Sequence, residues 1–187
     1  MQTTHRNQAE APRIGSHAFT QAAIIRGIDP TRGQSGGWWL LIEPDIKTDP
    51  GNLLRPDVAG WRRARLPDVP SSTIDVVPDW VCEIVTPGQV GRDRVMKLTQ
   101  YASAGVGFVW LAHPTERTIE AYALEGSNWK LLGAWWDGGP VSVPPFAEQE
   151  IEVGRLFVPE ANANLAGGAG AGAGRTGQAS GDNDRSL

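Results

Sequence analysis

Glu83 stands in the run Trp80-Val81-Cys82-Glu83-Ile84-Val85, where its neighbours are apolar. An ionised carboxylate in such a run is costly to bury unless a cation or a set of donors meets it. Asp57 is a second carboxylate, set in Arg55-Pro56-Asp57-Val58-Ala59-Gly60-Trp61, and Lys97 follows Glu83 within a helical stretch. Two carboxylates and a lysine suit phosphodiester hydrolysis. A hard divalent cation takes oxygen ligands and acidifies its bound water, while a cationic side chain meets the charge that builds on phosphate. On this reading Asp57, Glu83 and the backbone carbonyl of Ile84 hold Mg²⁺ (or Mn²⁺), and Asp57, Glu83 and Lys97 are the catalytic residues. Glu43 is a more distant acid. Plainer readings stand beside it. An Asp after Pro is most often a turn residue, a lysine on a helix flank is most often solvated, and Asp93, four residues before Lys97, offers a surface ion pair.

The elements that must position these groups are a strand, a turn and a helix. Period-two alternation puts Val81, Glu83 and Val85 on one face and Cys82 and Ile84 on the other. Thr86-Pro87-Gly88 ends that strand. From Arg92 the spacing of Val95, Leu98, Ala102 and Gly105 predicts a helix with a buried stripe, and Gly105 suits the left-handed position past its end. Lys97 and Tyr101 lie one turn apart on the flank of that stripe, which makes Tyr101 an auxiliary candidate.

Upstream, residues 1–16 are polar and patternless and read as a flexible terminus, and His17 to Ile28 fits a short helix. A lone histidine near a helix start is more often a cap or a surface residue than a site member, so His17 is an auxiliary candidate only. Trp38 to Ile42 is a dense apolar strand, and the turn signal Asp49-Pro50-Gly51-Asn52 predicts that it pairs as a hairpin with a strand from Leu54 to Trp61. Arg62, Arg63 and Arg65 follow Asp57 on the same connection and could hold DNA phosphates or simply be solvated. Downstream come strands at Gly107 to Ala112 and Thr118 to Leu124, a turn at Glu125-Gly126-Ser127-Asn128, a return strand from Trp129 to Trp136, and one short strand or docking segment within Val141 to Phe157.

The 187 residues are enough for one domain, read here as 17–158, followed by a low-complexity Gly/Ala-rich tail at 159–187 that is too poor in apolar surface to order itself. A formal net charge of -4 argues against coating nucleic acid by bulk electrostatics and leaves room for a local basic groove. A single cysteine, Cys82, excludes an internal disulfide and reads as a small buried hydrophobe. The eight tryptophans fall mostly in strand-like runs and read first as core and sheet surface. No signal-peptide pattern and no membrane-length apolar run is present, so a cytoplasmic protein without a membrane partner is expected.

Several segments, taken together, resemble one family. Arg55-Pro56-Asp57-Val58-Ala59-Gly60-Trp61, Pro78-Asp79-Trp80-Val81-Cys82-Glu83-Ile84-Val85-Thr86-Pro87, Asp93-Arg94-Val95-Met96-Lys97, Tyr101-Ala102-Ser103-Ala104-Gly105-Val106, Trp110-Leu111 and Pro114 are similar to the Uma2 family of restriction-endonuclease-like proteins, within the PD-(D/E)XK nuclease superfamily. The likeness covers about His17 to Phe157. It implies an α/β (α+β) fold with a mixed, mostly antiparallel sheet flanked by helices, a divalent-metal site, and DNA cleavage as the ancestral chemistry. By motif, Asp57 and Glu83 match the family's acidic pair. Val85 stands where the superfamily usually has its lysine, and Lys97 matches the lysine this family carries on the following helix. Val85 shares a face with Glu83, so a lysine arriving from the helix can fill the place Val85 leaves. The leading segment that the family carries, with a Gly-Glu or Asp-Gly-Glu turn, has no counterpart ahead of Ser16-His17. Its loss would leave the core a helix short and one auxiliary acid fewer. Thr86-Pro87-Gly88-Gln89 replaces the commoner Ser-Pro-Ser-Thr.

The leading expectation is therefore a Mg²⁺-dependent endonuclease acting on DNA, and enzymes of this superfamily often work as homodimers. Two alternatives remain at this level. One is a catalytically degenerate nuclease-fold protein that binds nucleic acid or a protein partner without cleavage. The other is a non-enzymatic interaction module built on exposed tryptophans.

Overall fold

The computed structural model describes residues 11–28, 31, 37–48, 52–85 and 92–159, with backbone alone for 11–14 and 92–94. Helix α1 (Ala11–Gly27) precedes strands β1 (Trp38–Ile42), β2 (Ile46–Thr48), β3 (Asn52–Leu54), β4 (Val58–Arg62) and β5 (Trp80–Ile84). Helix α2 (Arg92–Ala104) then leads to β6 (Phe108–His113), β7 (Thr118–Glu125), β8 (Asn128–Trp136), β9 (Pro140–Val141), β10 (Ile151–Glu152) and a 3-10 turn at Val153–Leu156. The main sheet has six strands in the order β1-β4-β5-β6-β7-β8. The β5–β6 pair alone in it is parallel, and α2 is the crossover that a parallel pair requires. The fold is thus mixed α+β with a mostly antiparallel sheet. No helix among the described residues is long and apolar enough to cross a membrane.

The alternation read from the Glu83 strand explains why the sheet is covered on both sides. Trp80, Cys82 and Ile84 join one core with Ile24 of α1, Ile28 just past its end, Trp38, Trp110, Phe146, Leu156 and Phe157. Val81 joins the other with Trp61, Tyr101, Val109 and Leu111, and Val85 packs against it. Every residue of β5 is buried in consequence. Trp80, Trp110 and Phe146 meet edge to face with centroids 5.0–5.5 Å apart, an arrangement that adds about 0.5–1.5 kcal/mol per pair to simple burial. Gly60 of β4 makes this possible. A Cβ there would stand 3.0 Å from both Leu40 and Trp80.

Tryptophans also tie loops to the sheet. The indole N–H of Trp61 donates to the Val76 carbonyl at 2.8 Å and that of Trp110 to the Pro144 carbonyl at 2.6 Å. Trp129 donates to the Leu98 carbonyl at 2.9 Å, which draws α2 over β8. Among the described tryptophans Trp136 is the one that stands 65% exposed.

Four expectations are corrected. Helix α1 begins at Ala11 rather than at His17, so residues 11–16 are helical and not a flexible terminus; residues 1–10 lie outside the described residues. The stretch Leu54 to Trp61 is not one strand. Pro56 cannot donate to a ladder, and the chain breaks there into β3 and β4. β1 still pairs antiparallel with β4, but a separate β2–β3 hairpin lies between them, with Thr48 opposite Asn52. Of the turn signal that closes it, 49–51 lie outside the described residues, as do the Thr86-Pro87-Gly88 turn and the tail beyond Pro159.

Helix α2 is rotated from the predicted stripe. Val95 is 62% and Met96 51% exposed, and the inward side runs through Lys97, Leu98, Tyr101 and Ala104. The Tyr101 ring, 2% exposed, is the large group that this helix buries, and it sets the rotation. Lys97 therefore sits on the inward side rather than on a flank. Past the helix end Gly105 has φ +81°, with its N–H bonded to the Ala102 carbonyl and that of Val106 to the Tyr101 carbonyl. This pair of bonds is the Schellman closure that the glycine predicts.

Candidate active site

Strand register brings the two carboxylates together. Val58 faces Cys82 and Ala59 faces Val81, so continuing the β4–β5 ladder by one residue sets Asp57 directly opposite Glu83. Like charges so placed repel one another and call for compensation. Each is compensated from a different direction. Asp57 Oδ2 accepts the backbone N–H of Ile84 at 2.6 Å, and His17 Nε2 lies 3.2 Å from Oδ1. Lys97 Nζ donates to Glu83 Oε2 at 2.7 Å, and the Tyr101 hydroxyl donates to Oε1. Lys97 and Tyr101 are one helical turn apart, so a single face of α2 occupies both oxygens of Glu83.

Protonation divides accordingly. Burial pushes the Asp57 carboxyl up, but the hydrogen bonds from His17 and the Ile84 N–H, with the charges of His17 and Lys97, outweigh it and hold the group below the ordinary aspartate range. For Glu83 burial and then the charge of Asp57 dominate, and Lys97 and Tyr101 offset them only in part; the carboxyl rises to about 7. His17 is raised by its bond to Asp57, against a smaller opposing effect of burial. The Tyr101 hydroxyl is pushed far up by burial and by Glu83, so it acts as a donor. Burial likewise raises the Cys82 thiol, in keeping with a core residue.

A second layer holds Asp57 from α1. Gln21, one turn beyond His17 and 5% exposed, donates its side-chain amide to Glu43 Oε1 at 2.9 Å and lies 3.3 Å from the Asp57 carbonyl oxygen. The same carbonyl accepts the Glu43 backbone N–H at 3.1 Å, and Glu43 adopts a left-handed φ of +47°. Glu43 is thus joined to Asp57 through Gln21. The sequence reading missed Gln21; its signal was the four-residue spacing from His17, which puts both on one helix face.

The arginines lie elsewhere. Arg62 ends β4, with Arg63 and Arg65 just past it, about 17 Å of strand from Asp57, because five residue steps separate Asp57 from Arg62. There the Arg62 backbone N–H donates to Asp79 Oδ2 at 2.9 Å, Arg65 pairs with Asp79 at 2.9 Å, and Arg63 stacks over Trp39 at 4.3 Å. Lys97 pairs with Glu83, and the Asp93 side chain lies outside the described residues.

A mostly antiparallel sheet with one parallel pair, carrying opposed carboxylates and a helix lysine at its margin, defines a restriction-endonuclease-like protein. The chain belongs to the Uma2 family, described as "Putative restriction endonuclease", whose family model matches residues 6–154. The fold is similar to the crystal structure of a "putative nuclease belonging to DUF820" from Anabaena variabilis, with a TM-score of 0.56 and 22% identity over 75% of this chain and 79% of that one. No curated protein matches the chain.

Proposed function

We propose that the protein is a divalent-metal-dependent endonuclease that hydrolyses DNA phosphodiester bonds. The observation that carries the reading is the placement of Asp57 opposite Glu83, with Lys97 reaching the same carboxylate from α2. The donor set suits a hard cation. Among the described residues no three His, Cys, Asp or Glu side chains surround a common point. Two carboxylates and the Ile84 carbonyl would leave other positions to water and phosphate oxygens, as Mg²⁺ is ordinarily held. Each carboxylate has about four lone-pair directions, so the bonds from Lys97, Tyr101, His17 and Ile84 leave acceptors free. Burial first and then the charge of Asp57 lift Glu83 to about 7, and a cation between the two groups would offset both.

When bound, the cation would supply a water acidic enough to attack phosphorus at neutral pH. The chain's own groups do the rest. Asp57 and Glu83 orient the phosphate by fixing where positive charge can sit. Lys97, with 36% of its side chain exposed, faces the pentavalent phosphate as negative charge grows on its oxygens. Tyr101 keeps Glu83 from turning away. His17, 29% exposed beside Asp57, adds positive charge at the entrance once protonated.

Supercoiled plasmid incubated with Mg²⁺, Mn²⁺ or EDTA tests this. The parent should nick it with metal alone, and Glu83→Ala and Lys97→Met should each lose about a hundredfold or more in rate. A Glu83→Ala protein as active as the parent removes Glu83 from the mechanism. Salt-sensitive DNA binding that needs no metal and leads to no cleavage would instead identify a nucleic-acid-binding member of the family.

A further inference from the structure

The grip of α1 on Asp57 has two parts, and the second does more than join elements. His17 meets the carboxylate, while Gln21 meets the peptide carbonyl of the same residue and Glu43 together. A glutamine that is 5% exposed keeps its amide buried only where both ends of the bond are fixed. Apart from the Glu43 N–H, which continues the β1–β4 register by one residue, the backbone it contacts lies outside the strands. Asp57 precedes β4, follows Pro56, and stands in the gap between two short strands. Its carbonyl is tied through the Glu43 N–H, and Glu43 itself holds a left-handed φ of +47°, a conformation that costs a non-glycine residue and persists only where neighbours impose it.

We propose that Gln21 is the positioning residue for Asp57: by holding the Asp57 carbonyl and Glu43 Oε1 at once, it fixes the peptide plane from which the Asp57 carboxylate is aimed at the Ile84 N–H and at the space before Glu83. The part that concerns metal rests on the nuclease reading above. The positioning itself does not. A peptide unit turned by a small angle swings a carboxylate at the end of its side chain by a larger distance, so the loss appears at Asp57 Oδ2, whose 2.6 Å bond from Ile84 N–H reports its place.

That amide proton is the readout. In metal-free protein, Gln21→Met keeps the side chain's length and removes both donors. The Ile84 amide resonance is expected to move upfield and its hydrogen exchange to quicken about tenfold, while the resonances of β6 to β8 stay in place. In Glu43→Gln the side chain still offers Gln21 an oxygen, and the Ile84 resonance should hold. Gln21→Asn, which draws the amide back by one methylene, gives the same displacement should the methionine variant not fold. By calorimetry Gln21→Met should then bind Mn²⁺ about tenfold more weakly than the parent. An Ile84 amide unchanged in both Gln21 variants overturns the proposal, and so does an equal shift in Glu43→Gln, which would place the hold on Glu43 alone. A parent that binds no Mn²⁺ refutes the metal reading and leaves the positioning to be decided by the amide.

Discussion

Glu83→Gln separates electrostatic strain at the site from ordinary packing. Glu83 has its carboxyl raised from the usual 4.5 to about 7, first by burial and then by Asp57. A raised acid favours the folded state fully below its unfolded value, here below pH 4.5, and loses that contribution as pH rises through 7. At about 1.36 kcal/mol per pKa unit, the swing between pH 4.5 and pH 8 is about 3 kcal/mol in metal-free protein. Glutamine carries no charge, so the swing vanishes in the variant. The amide also gives up one acceptor, a cost of about 1 kcal/mol at every pH. The two curves should therefore cross. Glu83→Gln is slightly less stable than the parent near pH 4.5 and more stable at pH 8, with a relative change in Tm of about 6–12 °C across the range for a chain of this size. Thermal unfolding followed by tryptophan fluorescence in EDTA measures it. Parallel parent and variant curves from pH 4.5 to 8 would refute the argument, since they would mean that Glu83 does not titrate with folding.

Further outcomes follow from the same geometry. Mg²⁺ or Mn²⁺ at about a hundred times its Kd should stabilise the parent by about 2.7 kcal/mol, more at pH 8 than at pH 6 because the cation competes with the Glu83 proton, and Asp57→Asn should abolish most of the gain; thermal shift with and without EDTA reads both. Gly105→Ala should cost about 1–2 kcal/mol, because φ is +81° while a Cβ there meets nothing within 4 Å, so the loss is backbone strain alone; denaturant midpoints at unchanged slope check it.

Much of the local structure was legible in the sequence. The alternation around Glu83 gave its strand and assigned its faces, because a strand's side chains alternate wherever the strand is placed. Gly105 marked a helix end, since few other residues accept that dihedral, and Glu125 to Asn128 marked a hairpin. The pairing of Asp57 with Glu83 was expected by family likeness, but its cause is β4–β5 register, a relation between segments 26 residues apart that no local pattern encodes. The rotation of α2 was misread for a related reason. Apolar spacing favoured Val95, whereas burial of Tyr101 and the bonds to Glu83 turned Lys97 inward.

By itself, then, the chain's order of residues determined which stretches become strands and helices, where they stop, and that a carboxylate would be buried among apolar neighbours. Only the folded chain decided what meets that carboxylate. It sent the arginines to the far end of β4, brought His17 and Gln21 in from α1, and set a lysine and a tyrosine on the two oxygens of Glu83. Local dihedral preference acts over a few residues, but charge compensation in a buried site is settled by whichever groups the packed elements carry within reach.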